Sequence, residues 1–299
     1  MFLKRQICFQ LLILLIFCVG CVPNNFKFKK ELGQSGSGEA EFLSPTDLDL
    51  DEKGNLIVAD AGNTRFQIIS TDGKVIGKGG EYGVNKLKLQ SISGIGVDKK
   101  DNVVWVCDEK GGKVVKFDMD GTPLMKITKH MKAPMDVVAD SDNNIYVIMA
   151  RHPHIYKYSD EGKFLKKLCK AGEKSALVFP TSIHIFEDII YVTDFGGKRI
   201  VKLDLDGNFI SEITNKGEYE EMKGPSGLYI DDVGNLYVLD LGEVPVVILS
   251  RDGKLISRVG TFGNHEGNFL YPTGVVALSK KDVYVLDNSR NTILNFTKK

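Results

Sequence analysis

Of the five histidines in this 299-residue chain, His130, His152 and His154 fall close together and His184 follows a short way on. Two imidazoles two positions apart could share a divalent ion with a third from a nearby loop, because imidazole nitrogen is a common zinc ligand. A second set of polar residues recurs rather than clusters. Asp47, Asp136 and Ser182 occupy one repeated position, while Arg65, Lys113, His154 and Arg199 occupy another. Carboxylates, hydroxyls and cations of this kind around one opening suit a polar ligand or a partner's loop. No Ser-His-Asp order, glycine-rich phosphate loop or Cys-x-x-Cys pair is present, so those routes to catalysis have no support.

What places these residues is a repeat. From Pro45 the chain reads as four short apolar runs broken by Glu52-Lys53-Gly54-Asn55, Asp60-Ala61-Gly62-Asn63 and Asp72-Gly73, residue types that tolerate tight turns. Equivalent units start at Ile92, Pro134, Pro180, Pro225 and Pro272. Four strands in a unit of about 45 residues are the mark of a propeller blade. The second strand ends in Asp60, Asp108, Asp194, Asp240 and Asp287, with Met149 in the third unit, and Asp-Gly or Glu-Gly recurs before each fourth strand. In an Asp-Gly hairpin of two residues both central positions take positive φ, which is the form expected here.

The sixth unit ends at Lys299 without a fourth strand. Gly33 precedes Pro45 by the same 12 residues that separate Gly260 from Pro272, so Phe26–Leu32 is expected to supply the missing outer strand. The fold class is therefore all-β: a six-bladed propeller of four-stranded antiparallel blades, closed by its own N-terminal strand, which leaves no open end to the array.

A Pro start, Gly-Asn before a strand ending in Asp, an Asn-x-Arg turn and Asp-Gly resemble the NHL repeat. Gly54-Asn55, Val58-Ala59-Asp60 and Asn63-Thr64-Arg65 carry the likeness most fully, and it extends over residues 26–299. The third unit departs, with Met149 for Asp and Arg151-His152-Pro153-His154 for the usual turn. The resemblance implies a propeller that hosts unrelated activities. Related amidating lyases place zinc among channel histidines, and lactonase-type propellers hold calcium there. Here Asp47, Asp49 and Asp136 approach the calcium positions without the accompanying Glu or paired Asn.

Strand alternation puts the second-to-third turns and inter-blade loops on one rim. That rim holds Asp47, Asp136 and Ser182 together with Arg65, Lys113, Arg151, His152, His154 and Arg199, and variable polar loops on a rigid scaffold are where binding concentrates. The recurring strand-end Asp column reads instead as structural.

Residues 1–20 read as an export signal: Lys4 and Arg5 precede an apolar run from Ile7 to Phe17. Cys18-Val19-Gly20-Cys21 resembles a bacterial lipobox, with Cys18 where Leu is usual, and implies lipidation at Cys21. The expected domains are a signal peptide over 1–20, a lipid-anchored tether over 21–25 and the propeller over 26–299. The 39 basic residues fall to 37 without Lys4 and Arg5, against 39 acidic, which offers no footprint for nucleic acid. Cys107 and Cys169 sit too far apart in the repeat to be bridged.

These readings combine into an expectation: a monomeric, exported lipoprotein of the bacterial cell envelope, on the outer membrane if the cell is Gram-negative, held to the membrane through a lipid. Rather than being an enzyme, it would present its rim to a protein, peptide or glycan and hold no cofactor. The alternative is a metal-dependent hydrolase or lyase with zinc or calcium in the channel, using His130, His152, His154 and His184.

Overall fold

The computed structural model describes residues 24–83, 87–150, 152–169, 172–214, 222–242 and 244–299. The signal segment, Cys21 and Arg151 lie outside them. Six four-stranded sheets radiate about a central channel. The innermost strands are Asp47–Leu50, Ile92–Asp98, Pro134–Ala139, Pro180–Phe186, Pro225–Ile230 and Pro272–Ser279. In each blade the second strand is buried on both faces, as in Leu56–Asp60 and Ile145–Met149, because both sides pack against neighbouring blades. Outer strands alternate, as in Phe164–Leu168.

The expected closure is present. Phe26–Leu32 pairs antiparallel with Thr292–Lys298, with Phe26 opposite Lys298 and Leu32 opposite Ile293. Apolar residues fill the seams between blades rather than one central core. Val104, Val106 and Phe117 of blade two meet Ile57, Phe66 and Ile68 of blade one, and Tyr191 and Ile200 of blade four meet Leu228 and Val238 of blade five. Cys107 and Cys169 are free, buried thiols.

The Asp-Gly turns differ from expectation in form. Only the glycine takes positive φ, +91° at Gly73 and +87° at Gly207. Gly73 N donates to Ser70 O at 2.9 Å, Ser70 N to Lys74 O at 2.8 Å, and the register slips at Ile69. This is a longer turn completed by a glycine bulge, which spares Asp72 the left-handed conformation.

Candidate functional site

Five inner strands carry a bulge near their start, at Ser93, Met135, Thr181, Ser226 and Thr273. The extra residue turns its side chain toward the channel, and Thr46 takes the same place in blade one. Three of these hydroxyls latch adjacent blades: Ser93 Oγ donates to Pro134 O at 2.6 Å, Thr181 Oγ1 to Pro225 O at 3.1 Å and Thr273 Oγ1 to Pro45 O at 3.2 Å. Thr46 Oγ1 is buried with no hydrogen-bond partner.

One step further along stand the carboxylates. Asp47 Oδ2 accepts from Ile95 N at 2.9 Å and Oδ1 from Leu48 N at 2.8 Å. Asp136 accepts from Ser182 Oγ at 3.0 Å, Ile183 N at 2.9 Å and Val137 N at 2.8 Å. Each Asp thus bridges to the next blade and still borders the channel. Between them, blade two offers Gly94, where a Cβ would lie 2.2 Å from Met135 O. The fold therefore requires a bare position there, and no side chain of Gly94 separates the two carboxylates.

Burial pushes the Asp47 carboxyl well above the usual range, and the charge on Asp136 adds to the effect. Burial likewise raises Asp136 to about 7, against the lowering effect of its hydrogen bonds. Cys107, fully buried near both, is raised by burial and then by their charges. Asp49 is raised by burial and bonds Val97 N at 2.8 Å. Asp47 and Asp136 border a cavity of about 880 Å³ at one channel mouth, walled also by Thr46, Ser93, Thr181 and Ser182 among others. That volume suits a small organic ligand.

The predicted cations do not join it. Arg65 Nε pairs with Asp60 at 2.8 Å and its Nη2 with Glu41 O at 3.0 Å. Lys113 pairs with Asp108 at 3.2 Å, and Arg199 with Asp194 at 3.0 Å and Glu212 at 2.7 Å. The strand-end aspartates also accept loop amides, for example Asp287 from Leu270 N at 2.6 Å.

The histidines are separated as well. His130 packs edge-on to Phe164, His154 Nδ1 donates to Cys169 O at 2.8 Å, and His152 begins the third strand of blade three. His184, 5.5 Å from the Tyr229 ring, is pushed down to about 4 by burial and then by Lys99. No group of three or more His, Cys, Asp or Glu among the described residues could hold a metal ion. Each oxygen of Asp47 and Asp136 accepts one backbone amide.

Sequence reasoning overlooked Gly94 and the rim residues Phe179, Phe195, Leu241 and Tyr271. For the four rim residues a signal was available: they either follow the strand-end Asp or precede the Pro that starts a unit.

The fold and cavity define a six-bladed propeller with a ligand-sized site at one mouth. No family model matches the chain, and no curated protein does. Among solved structures it is similar to virginiamycin B lyase from Staphylococcus aureus, at 15% identity and TM-score 0.63 over 92% of this chain and 100% of that one. A catalytically inactive histidine-to-alanine form of that lyase with quinupristin matches at 14% identity and TM-score 0.61, with 92% and 100% covered. Hydrazine synthase of Kuenenia stuttgartiensis matches at 12% and 0.63, covering 89% and 98%. A Bacteroides thetaiotaomicron protein of unknown function matches at 15% and 0.67, covering 92% and 76%. At these identities the likeness is one of fold.

These findings correct several expectations. The chain is not assigned to the NHL repeats, since no family model matches and the propellers aligning over most of it include lyases. The non-enzymatic scaffold presenting its rim to a protein, peptide or glycan is withdrawn. Its cations are spent in intrachain pairs, and the polar groups that converge lie inside a concave cavity rather than on an open rim. The exported, lipid-anchored envelope location is likewise withdrawn: the solved structures aligned over most of the chain include lyases, and the segment it was read from lies outside the described residues. No helix among the described residues is long and apolar enough to cross a membrane.

Proposed function

We propose that the chain is an enzyme of the lyase or hydrolase kind that acts on a small molecule at this channel mouth. The carrying observation is the pair Asp47 and Asp136, on blades one and three, bordering one cavity across the bare Gly94. Burial raises both carboxyls and the charge on Asp136 raises Asp47 further, so the two do not both ionise near neutrality. One holds a proton while the other is free to accept one, which is the requirement of general acid–base catalysis. In an elimination, the ionised member takes a proton from carbon and the protonated member gives one to the leaving group. In a hydrolysis, the ionised member takes its proton from water. Ser182 fixes Asp136 by its 3.0 Å hydrogen bond.

The likeness to virginiamycin B lyase supports an enzyme of this shape, not its residues. No histidine is among the residues lining this cavity, whereas that lyase is inactive without one of its histidines. The test is mass spectrometry of a metabolite extract, supplemented with quinupristin, incubated with wild type, Asp47→Asn and Asp136→Asn. Consumption of one compound by wild type and its sparing by both variants is expected. A compound consumed equally by all three, or none consumed by any, overturns the reading.

A further inference from the structure

The six blades place different residues at the same two rim positions, and the differences sort by side. After the strand-end residue come Ala61, Glu109, Ala150, Phe195, Leu241 and Asn288. All six border the cavity, as do Phe179 and Tyr271 just before the starts of blades four and six. Blades four to six thus carry an apolar arc. Phe179 and Phe195 meet edge to face with centroids 6.0 Å apart, while Leu241 and Tyr271 stand 50% and 55% exposed. The scaffold does not require this, since blades one and three place alanine at the position of Phe195 and Leu241. Exposed apolar residues gathered at a cavity edge mark a contact surface.

The opposite wall has the other character. Asp47 and Asp136 lie on blades one and three, and Glu109 stands on blade two between them. Lys110, beside Glu109, is the single basic residue among the described residues lining the cavity, against three acidic ones. The amides and the Ser182 hydroxyl that meet the carboxylates are engaged within the fold. Even with one of Asp47 and Asp136 holding a proton, the other and Glu109 outnumber Lys110 among the described lining residues, so an anion entering here would meet like charge. A cation would be attracted, and an aromatic face can favour it further.

We propose that the molecule received at this mouth is a small organic amine or other cation bearing an apolar ring. The ring lies on Phe179, Phe195, Leu241 and Tyr271, and the charged end points to Asp47 and Asp136. This rests on the cavity assigned above and adds the chemical class of its ligand.

Two dyes of similar size separate the alternatives in fluorescence titrations of the full chain at fixed ionic strength: the aromatic cation berberine and the anion 1-anilinonaphthalene-8-sulfonate. Berberine is expected to bind at least about tenfold tighter, since each tenfold corresponds to about 1.4 kcal/mol, within reach of one favourable charge. Leu241→Ser with Tyr271→Ser should weaken it by about tenfold or more, and Asp136→Asn should weaken it also. Ile76→Ser with Leu124→Ser, both exposed on outer strands far from the mouth, should leave it unchanged. Equal binding of the two dyes, tighter binding of the sulfonate, absence of berberine binding, or indifference to the rim pair would each overturn the proposal. Rim-dependent cation binding without turnover of any metabolite removes the enzyme and keeps the ligand class. Turnover dependent on Asp136 with preference for an anion does the reverse.

Discussion

Ser182 Oγ donates a hydrogen bond to Asp136 Oδ2 at 3.0 Å, across the seam between blades four and three. The same carboxylate accepts Ile183 N, so one side chain both ties two blades and borders the cavity. Its two roles respond to pH in opposite directions, and that makes them separable.

If Asp136 is the base, turnover rises as pH passes through about 7 and levels above it. Stability moves the other way. The folded state holds the proton up to about 7, whereas an unfolded aspartate releases it near 4. The unfolded chain therefore gains on the folded one as pH rises through that window, and the loss stops above about 7. Asp136→Asn removes this dependence. Melting curves from pH 5 to pH 8 should show the difference between wild type and variant shifting in the variant's favour. A difference that is flat with pH would mean that Asp136 titrates like an exposed carboxylate.

Asp60 and Arg65 form a pair whose worth is structural. Asp60 is fully buried and holds Leu43 N at 2.8 Å, Asn63 Nδ2 at 2.8 Å and Arg65 Nε at 2.8 Å. Asp60→Ala strands these donors and should cost about 3 kcal/mol or more. Arg65 keeps some contact with solvent, so Arg65→Ala should cost about 1–3 kcal/mol. Neither variant should alter berberine affinity by more than about twofold. Urea unfolding and dye titration of the same preparations check both statements.

Gly94→Ala tests the bare position between the carboxylates. The new Cβ would lie 2.2 Å from Met135 O, and the contact is with backbone, which cannot swing away. Overpacking of this kind costs about 1–3 kcal/mol or more. It would also part blades two and three, so turnover should fall more than a loss of stability alone explains. Folded Gly94→Ala with undiminished turnover would show that spacing at this seam is immaterial.

Removing residues 24–32 takes the outer strand from blade six and exposes the Thr292–Lys298 edge, which is paired in the intact chain. An exposed edge strand recruits other strands. The truncated protein should melt lower and show concentration-dependent association by light scattering. An unchanged melting temperature would mean that this strand pairing contributes little.

The architecture was legible because its signals are local. A period of about 45 residues, glycine at the turn before the fourth strand in five of the six units and an apolar run of strand length all survive in one dimension. The shared count of 12 residues before Pro45 and Pro272 was enough to place Phe26–Leu32 beside the C-terminal strand. Local signals also explain the error over repeat type, since short turn motifs recur in propellers of different kinds.

Which polar residues meet was another matter. Asp47, Asp136 and Ser182 were singled out by position and do converge, whereas Arg65, Lys113 and Arg199 were singled out in the same way and turn into ion pairs at the blade edges. Sequence spacing assigned both columns to one rim, but it carries no distance from the channel axis and no inventory of nearby donors. Those depend on bulges at Ser93 and Thr181, on backbone approach at Gly94 and on burial by blades about 45 residues away. Charge state, ligand contact and metal fit are set by such non-local neighbours. The chain alone determined a closed ring of six blades; only their packing decided that two aspartates, and not the histidines, would share its mouth.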